Sequence, residues 1–528
     1  MGFQNGKEGG IQDIRARYSG DHGLTWSDQE VQFKLDPAIG GWVGGETLVD
    51  QQGEIQFFLL NDAGTGILWA GEGERPAVGG LTERRLDLWH TKTTGKGRQW
   101  QQPKCIWKGY TGSLNSVAQL KNGRILLPFS CQTKRGWKTN RGGGLGEWSF
   151  YGRYDSVVIY SDDGGDTWRL SNAVKIVTPD ISYAYGAVEP VVIQLKDGRV
   201  WMLIRGQTGR FYESFSADGA EWTIPNPSAI INSDSPAGLD RLGDGRLFLV
   251  WNNCLRFPYA YGGRQVIHAA ISEDDGATWR GFREVGRDPL RHQPPPPSGD
   301  FGTAYPFPSV TADNRILIMS GQGVGRRSLV ILDPDYLYET RQSDDFSAGL
   351  EAWSVFGTKG VLLAPHPQQT GRKVLQIRRA DVEFPATAVW NFPAGLQGTI
   401  RLRLMLTPGF GAGRLALTDH FSVPYDQEDK FYNMFNLPVG LEATPTGWGA
   451  ALRAGQWHDV ELRWDIGKRE CRLLLDNHAA GVGPLRREGS GISYLRLSSL
   501  SGKPETGAML LESVTADVSA GPWVVFNS

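Results

Sequence analysis

An eight-residue motif that occurs three times constrains this chain more than any other feature. Ser19-Gly-Asp21-His-Gly23-Leu-Thr25-Trp26 recurs as Ser161-Asp-Asp163-Gly-Gly165-Asp-Thr167-Trp168. It recurs again as Ser272-Glu-Asp274-Asp-Gly276-Ala-Thr278-Trp279. The shared pattern is S-x-D-x-G-x-T-W. Two weaker copies lie between, Thr93 to Trp100 without the Asp and Ser216 to Trp222 one residue short. Asp and Gly suit a tight hairpin turn, the Asp and Ser/Thr side chains can satisfy turn amides, and Trp anchors the turn on a sheet. Apolar strands precede the second and third copies, Val157-Val-Ile159-Tyr160 and Val266-Ile267. The chain is therefore expected to be built from many short antiparallel hairpins. Its 69 Gly and 19 Trp in 528 residues fit that reading.

These octapeptides resemble the Asp boxes, or BNR repeats, of sialidase-like β-propellers. In that family the boxes lie on the propeller rim, so their aspartates are not catalytic candidates. A second repeat interleaves with the boxes: a small-residue stretch, an apolar strand, a D/N-G-type turn and another apolar strand. Its copies turn at Gly53, Gly123, Gly198, Gly245 and Asn314. Taken as the inner strand pairs of blades, they number five, against six outer hairpins if Ser328–Leu332 closes the last blade. The expectation is an all-β, six-bladed β-propeller whose first blade is incomplete. Either the start of the chain is mis-set or that blade is completed differently.

From Asp344 the texture changes. Alternating strands such as Thr399–Leu404 and Asp459–Trp464 predict an antiparallel β-sandwich. Asp344-Asp-Phe346-Ser…Trp353 and Gly455-Gln-Trp457-His-Asp459 resemble laminin-G-like jelly-roll modules, which either bind carbohydrate or buttress an enzyme. The expected division is 1–342 for the propeller and 343–528 for the sandwich.

Composition excludes several classes. With 55 basic against 57 acidic residues, no net field draws the chain to nucleic acid. No apolar run of about 18 residues exists, so no membrane span is expected. Four scattered cysteines show no metal spacing and read as buried free thiols. No cofactor or metal motif stands in a credible context. The polar opening MGFQNGKEGG is not a signal peptide. Because the first blade is short, the compartment stays open: secreted or periplasmic if a segment precedes Met1, cytoplasmic as written.

The sialidase resemblance covers about residues 1–340 and implies an exo-glycosidase acting on a glycan. Glu189-Pro-Val-Val-Ile-Gln-Leu-Lys-Asp-Gly-Arg…Arg205 is similar to the family pattern in which the Glu is a general base and the Arg binds the substrate carboxylate. Arg264, eight residues before Ser272, occupies the spacing of a second carboxylate-binding Arg. Tyr305 opens the last inner strand, where the family carries its nucleophile. A neutral Tyr avoids repulsion by a sugar carboxylate and is activated by a neighbouring Glu. Sialidases are the stated exception to the two-carboxylate rule of glycosidases. Repeat position adds Glu46, Asn115 and Asp234 as pocket-facing candidates, with strand-start capping as the alternative role. Tyr183 and Tyr185 could stack on a sugar, and the long insertion Gln132–Tyr154 could form a pocket wall. His90 and His268 read as core or rim histidines.

The chain departs from the family in three places. The strand with the first triad Arg is missing. Its partner Glu is missing too, since the corresponding stretch reads Ile318-Met-Ser-Gly-Gln-Gly. The catalytic acid has no clean counterpart, Glu8 and Asp13 being the nearby acids. The sequence therefore supports a glycosidase for a terminal, acidic sugar, with Tyr305, Glu189 and Glu8 catalytic. The alternatives are a carbohydrate-binding propeller without catalysis and a propeller polysaccharide lyase.

Overall fold

A computed structural model describes residues 13–36, 39, 41–62, 86–133, 153–177, 186–255, 263–293, 302–322, 327–356, 359–426, 428–442, 448–521 and 524–525. Glu8, Tyr183, Tyr185 and most of the 132–154 insertion lie outside these residues. The chain is all-β; helix appears as short 3₁₀ segments such as Pro334–Tyr338.

Up to residue 332 the described strands form six successive antiparallel sheets. The first holds Asp13–Ala16 and Glu30–Lys34. The second runs Trp42–Val49, Ile55–Asn61 and Asp87–Thr94, with Gln99–Trp100 and Lys104–Trp107 both pairing the last. The third contains Ala118–Gln119, Ile125–Thr133, Arg153–Ser161 and Arg169–Leu170. The fourth is Val188–Gln194, Val200–Arg205, Arg210–Ser216 and Asn226–Ile231. The fifth is Gly238–Arg241, Leu247–Trp251, Val266–Ser272 and Thr278–Arg287, and the sixth Phe307–Val310, Ile316–Ser320 and Ser328–Leu332. Among the described residues the first sheet has two strands.

Both faces of these strands are buried, in alternation. In Leu247–Trp251, Leu247, Leu249 and Trp251 pack with the fourth sheet, whereas Phe248 and Val250 pack with the sixth. Period-2 side chains thus glue each sheet to two neighbours. Separate apolar clusters join sheets one and two, two and three, three and four, four and five, and five and six.

The three intact boxes are nearly superimposable in their bonding. Thr25 and Thr167 each donate their amide to the box Asp, at 2.8 and 2.9 Å, and Thr278 does so at 2.8 Å. In each box the Ser hydroxyl accepts the Gly amide and the Trp indole donates to the Gly carbonyl. The box glycines need their positive φ and also sit against the preceding sheet. Gly165 lies on His90 and Gln56, Gly219 of the short copy on Leu126, and Gly276 on Trp201. Gly23, in the first sheet, lies on Leu317 of the sixth, beside the His22–Asp313 pair at 3.3 Å. The order of contact is cyclic.

The C-terminal strands form two large sheets. One carries Arg341–Asp344, Val361–Pro365, Lys373–Ile377, Gln397–Leu406, Trp457–Asp465, Glu470–Leu475, His478–Pro484 and Met509–Val518. The other carries Trp353–Val355, Thr387–Gly395, Ala412–Thr418, Phe435–Gly440, Ala450–Ala451 and Ile492–Ser499. One core cluster draws on both, with Trp353 stacked on Trp390 at 5.8 Å. Alternation explains it: Ile400, Leu402 and Leu404 enter that core, while Arg401 and Arg403 face outward to Glu461 and Asp459. Arg341–Asp344, straddling the expected boundary, already pairs with Met509–Val518. Near the C-terminus, Val524–Val525 returns to pair with Thr278–Trp279 of the fifth sheet. The four cysteines are free thiols; Cys254 and Cys471 are buried, whereas Cys105 and Cys131 are only half-buried.

Candidate active site

Glu189 stands at a bulge. Val188 pairs with Arg205 and Val191 with Leu203, and the register slips between them, so Glu189 and Pro190 leave the ladder. A bulge re-aims a side chain relative to its strand. The Glu189 amide, released from the ladder, donates to Ser130 Oγ at 2.7 Å. Glu189, Asp234 and Tyr305 have φ of 47°, 55° and 60°, the left-handed region that non-glycine residues rarely occupy. Glu189 and Tyr305 also each precede a proline, Pro190 and Pro306, which further narrows their conformations. Three such residues converging on one guanidinium are a concentration of local backbone cost of the kind found at functional sites.

That guanidinium belongs to Arg205. Its Nη1 donates to Glu189 Oε2 at 2.5 Å and to Tyr305 Oη at 3.1 Å, and its Nε to Asp234 Oδ1 at 2.8 Å. Tyr305 Oη donates to Glu189 Oε1 at 2.9 Å. Arg264 holds the other side. Its Nη1 donates to Gln322 Oε1 at 2.6 Å and its Nη2 to the Asp234 carbonyl at 3.0 Å. The guanidinium also sits 5.5 Å from the Tyr305 ring centroid. Glu189, Arg205 and Asp234 are buried, and Arg264 is only 1% exposed. At that depth charge pairing is strong and an unpaired charge is costly, so the acids and arginines hold one another in fixed positions.

The structure thus brings together five sequence candidates: Tyr305, Glu189, Arg205, Arg264 and Asp234. Asn115 bonds instead with Ser113, at 3.3 and 3.4 Å, the local capping geometry. Glu46 lies on the strand Trp42–Val49. Its Oε1 is buried with no hydrogen-bond partner among the described residues. Burial pushes its carboxyl up to about 8. Asp13 is exposed and ion-paired to Arg15 at 2.9 Å, and the Arg15 hydrogen bond holds its pKa below the usual value. It is ionised at neutral pH and unsuited to donate a proton.

Sequence reasoning missed Gln322 and Gln207 as pocket residues. Gln322 sits in the very stretch read as lacking an acid, and its amide takes up the Arg264 guanidinium there. Gln207 Nε2 reaches Asp234 Oδ1 at 3.4 Å while its Oε1 accepts the Gly186 amide at 3.2 Å. Neither carries a charge or a motif that would single it out. No group of three or more His, Cys, Asp or Glu positioned to hold a metal occurs among the described residues.

Comparison with known proteins gives a resemblance at the level of family. Residues 58–318 match the family model described as BNR repeat-like domain. A sialidase of Micromonospora viridifaciens is 25% identical over 300 residues, 51% of this chain and 41% of that protein. One of Paraclostridium sordellii is 26% identical over 227 residues, 41% of this chain and 50% of that protein. The matches therefore span half or less of these relatives' length. Among solved structures, Trypanosoma rangeli sialidase aligns over 96% of this chain and 87% of its own, at 13% identity and a TM-score of 0.40. A Dyadobacter fermentans protein of unknown function aligns over 60% of this chain and 82% of its own, at 18% identity and a TM-score of 0.41.

Proposed function

We propose that this chain, which belongs to the sialidase-like BNR-repeat superfamily, is an exo-acting glycoside hydrolase that removes a terminal acidic sugar from a glycan. The observation that carries the reading is the Tyr305–Glu189 hydrogen bond inside a buried cage of two arginines. A lyase would have no need of Glu189 beside Tyr305. The scaffold is a six-bladed propeller over residues 1–342, supported by the cyclic box contacts, followed by a two-sheet sandwich over 343–528.

In the first step Tyr305 Oη bonds to the anomeric carbon as the glycosidic C–O bond breaks. Glu189 accepts the phenolic proton, and the leaving oxygen takes a proton from a general acid. Water then cleaves the tyrosyl–sugar bond, with proton flow reversed. Arg205 Nη1, bonded to both Tyr305 and Glu189, stabilises negative charge as it moves between them. Arg205 and Arg264 form the anion clamp. Because Arg205 already bonds two carboxylates, an incoming sugar carboxylate competes with Glu189 and Asp234 for it. Between the two described candidates for proton donor, Glu46, whose carboxyl burial raises to about 8, suits the role better than the exposed, ion-paired Asp13. Glu8 lies outside the described residues.

The test is covalent trapping. Activated fluoro-glycosides of acidic and neutral sugars are incubated with the full chain, which is then digested and sequenced by mass spectrometry. A sugar adduct on Tyr305 supports the reading. Turnover with no adduct on Tyr305, retained by Tyr305→Phe, rejects it.

A further inference from the structure

Two adjacent buried asparagines lie behind the pocket, and the mechanism above uses neither. Asn252 and Asn253 follow the fifth-sheet strand Leu247–Trp251 and are almost wholly enclosed. Asn252 binds three segments at once. Its Nδ2 donates to the Val266 carbonyl at 2.7 Å and reaches Thr303 Oγ1 at 3.4 Å, and its Oδ1 accepts Ser235 Oγ–H at 2.7 Å. Each segment carries a pocket residue: Arg264 lies two before Val266, Tyr305 two after Thr303, and Asp234 next to Ser235. Thr303 ties two of them again, its amide and hydroxyl both donating to the Arg264 carbonyl, at 2.7 and 3.0 Å.

Asn253 faces the other way. Its Nδ2 donates to the Asp419 carbonyl at 2.9 Å, and its own carbonyl accepts the Phe421 amide at 2.8 Å. Its amide donates to His268 Nδ1 at 3.1 Å. Asp419 and Phe421 belong to the loop after Ala412–Thr418 in the C-terminal part. That loop is itself fixed by a buried ion cluster: His420 between Asp419 and Asp429 at 2.8 and 3.1 Å, with Arg487 on Asp419 and Arg496 on Asp429. A few residues on, Tyr425 Oη accepts from Gln265 Nε2 at 3.1 Å, directly beside Arg264. The C-terminal loop is therefore anchored on one side and grips the pocket backbone on the other.

We infer that Asn252 and Asn253 are positioning residues through which the C-terminal part holds Asp234, Arg264 and Tyr305 in register, making it a structural half of the pocket rather than an appended sugar-binding module. The inference rests on the hydrolase reading only for its kinetic consequence. The physical basis is general. Buried, hydrogen-bonded amides specify one arrangement of the segments they join, and a reacting group displaced by about 1 Å can cost about 10²-fold in rate. The left-handed φ at Asp234 and Tyr305 makes the requirement acute, since strained residues persist only where their surroundings over-determine them.

The experiment uses Asn253→Ala and Asn252→Ala in the full chain. Asn253→Ala leaves the backbone bonds to Phe421 and His268 in place, so it reports on a folded protein if the harsher Asn252→Ala does not. Two readouts separate positioning from stability, both taken well below the melting temperature. One is the split of kcat from KM on an aryl glycoside. The other is the ionisation of Tyr305, read as the 295 nm absorbance difference between each variant and its Tyr305→Phe partner. Expected are a fall in kcat of about 10-fold or more with KM nearly constant, and a displaced Tyr305 titration. If kcat and the Tyr305 titration match the parent while only the melting temperature falls, the inference is overturned. Glu189→Gln separates the two readings. Should it retain full turnover, the hydrolase mechanism fails, and the Tyr305 titration still decides the positioning role.

Discussion

Tyr305 and Glu189, 116 residues apart, share a hydrogen bond of 2.9 Å, and both bond the same Arg205 nitrogen. One guanidinium therefore sees both the oxygen that would attack and the carboxylate that would take its proton. Replacing Glu189 by Gln keeps the shape but removes the proton acceptor. Turnover should fall about 10²–10⁴-fold, the usual range for a lost general base. Tyr305→Phe should lose at least as much. Steady-state hydrolysis, with near-ultraviolet circular dichroism to show intact folding, checks both. Full activity in either variant removes that residue from the mechanism.

Glu46 carries a pH signature of its own. Burial raises its carboxyl from the ordinary 4.5 to about 8. Between those values the folded chain keeps a proton that the unfolded chain has lost, so stability contributed by this group falls as pH rises from about 4.5 to 8. Glu46→Gln, neutral throughout, should melt higher than the parent at pH 8.5 and about equally at pH 4.5. If Glu46 is also the acid, the variant should lose turnover on alkyl glycosides while sparing aryl ones, whose leaving groups need no proton. Melting curves at two pH values and a leaving-group series test the two roles separately.

Legibility in the sequence tracked the range over which each interaction acts. The boxes were legible because every bond in them closes within eight residues, as Ser161 to Trp168 shows. The Glu189–Arg205 pair was legible because both ends belong to one hairpin. Asp234 is visible as a repeat position but not as the second carboxylate on Arg205, since that bond crosses from the fourth inner repeat, which opens the fifth sheet, to the fourth sheet. Gln322 is not legible because an uncharged amide stands in the stretch where the family pattern places an acid. Asn252 and Asn253 are invisible, because their partners come from four other stretches and their side chains have no pattern. The bulge at Glu189 left only a faint mark, a proline inside an otherwise regular strand.

The Asp boxes give a structural prediction with no catalytic component. Asp163 accepts from Ser161, from the Asp166 amide and from both donors of Thr167, and these bonds hold its carboxyl down at about 2. Asp163→Ala should cost about 0.5–2 kcal/mol, by analogy with loss of a side-chain cap over free backbone amides. A carboxyl depressed in the folded state contributes stability above its unfolded value of 3.8, lost as pH falls toward 2. The melting difference between parent and variant should therefore shrink below about pH 3.5. Turnover at 25 °C should be unchanged. A loss of activity in a fully folded Asp163→Ala protein would contradict the purely structural role of the box.

His268 links the two halves of the chain and sets the last expectation. The Asn253 amide donates to its Nδ1, so Nε2 bears the proton and donates to Tyr494 Oη at 2.5 Å, and Tyr494 in turn donates to Glu284 Oε1 at 2.8 Å. Arg287 closes the chain on Glu284 at 2.6 Å. Burial drives the His268 ring down to about 4, outweighing the attraction of Glu284. Between pH 4 and 6.5 the unfolded chain therefore binds a proton that the folded chain refuses, and stability should rise with pH across that window. Tyr494→Phe keeps the ring in its pocket but leaves a buried imidazole N–H and a buried carboxylate oxygen facing an apolar edge. The cost should be about 1–3 kcal/mol at pH 7. As pH falls, a protonated His268 can pair with the Glu284 charge that Tyr494 no longer engages, so the variant's stability should depend less steeply on pH than the parent's. Thermal melts of both proteins from pH 4 to 8 give the two slopes. Parallel curves would show that His268 does not titrate in this network.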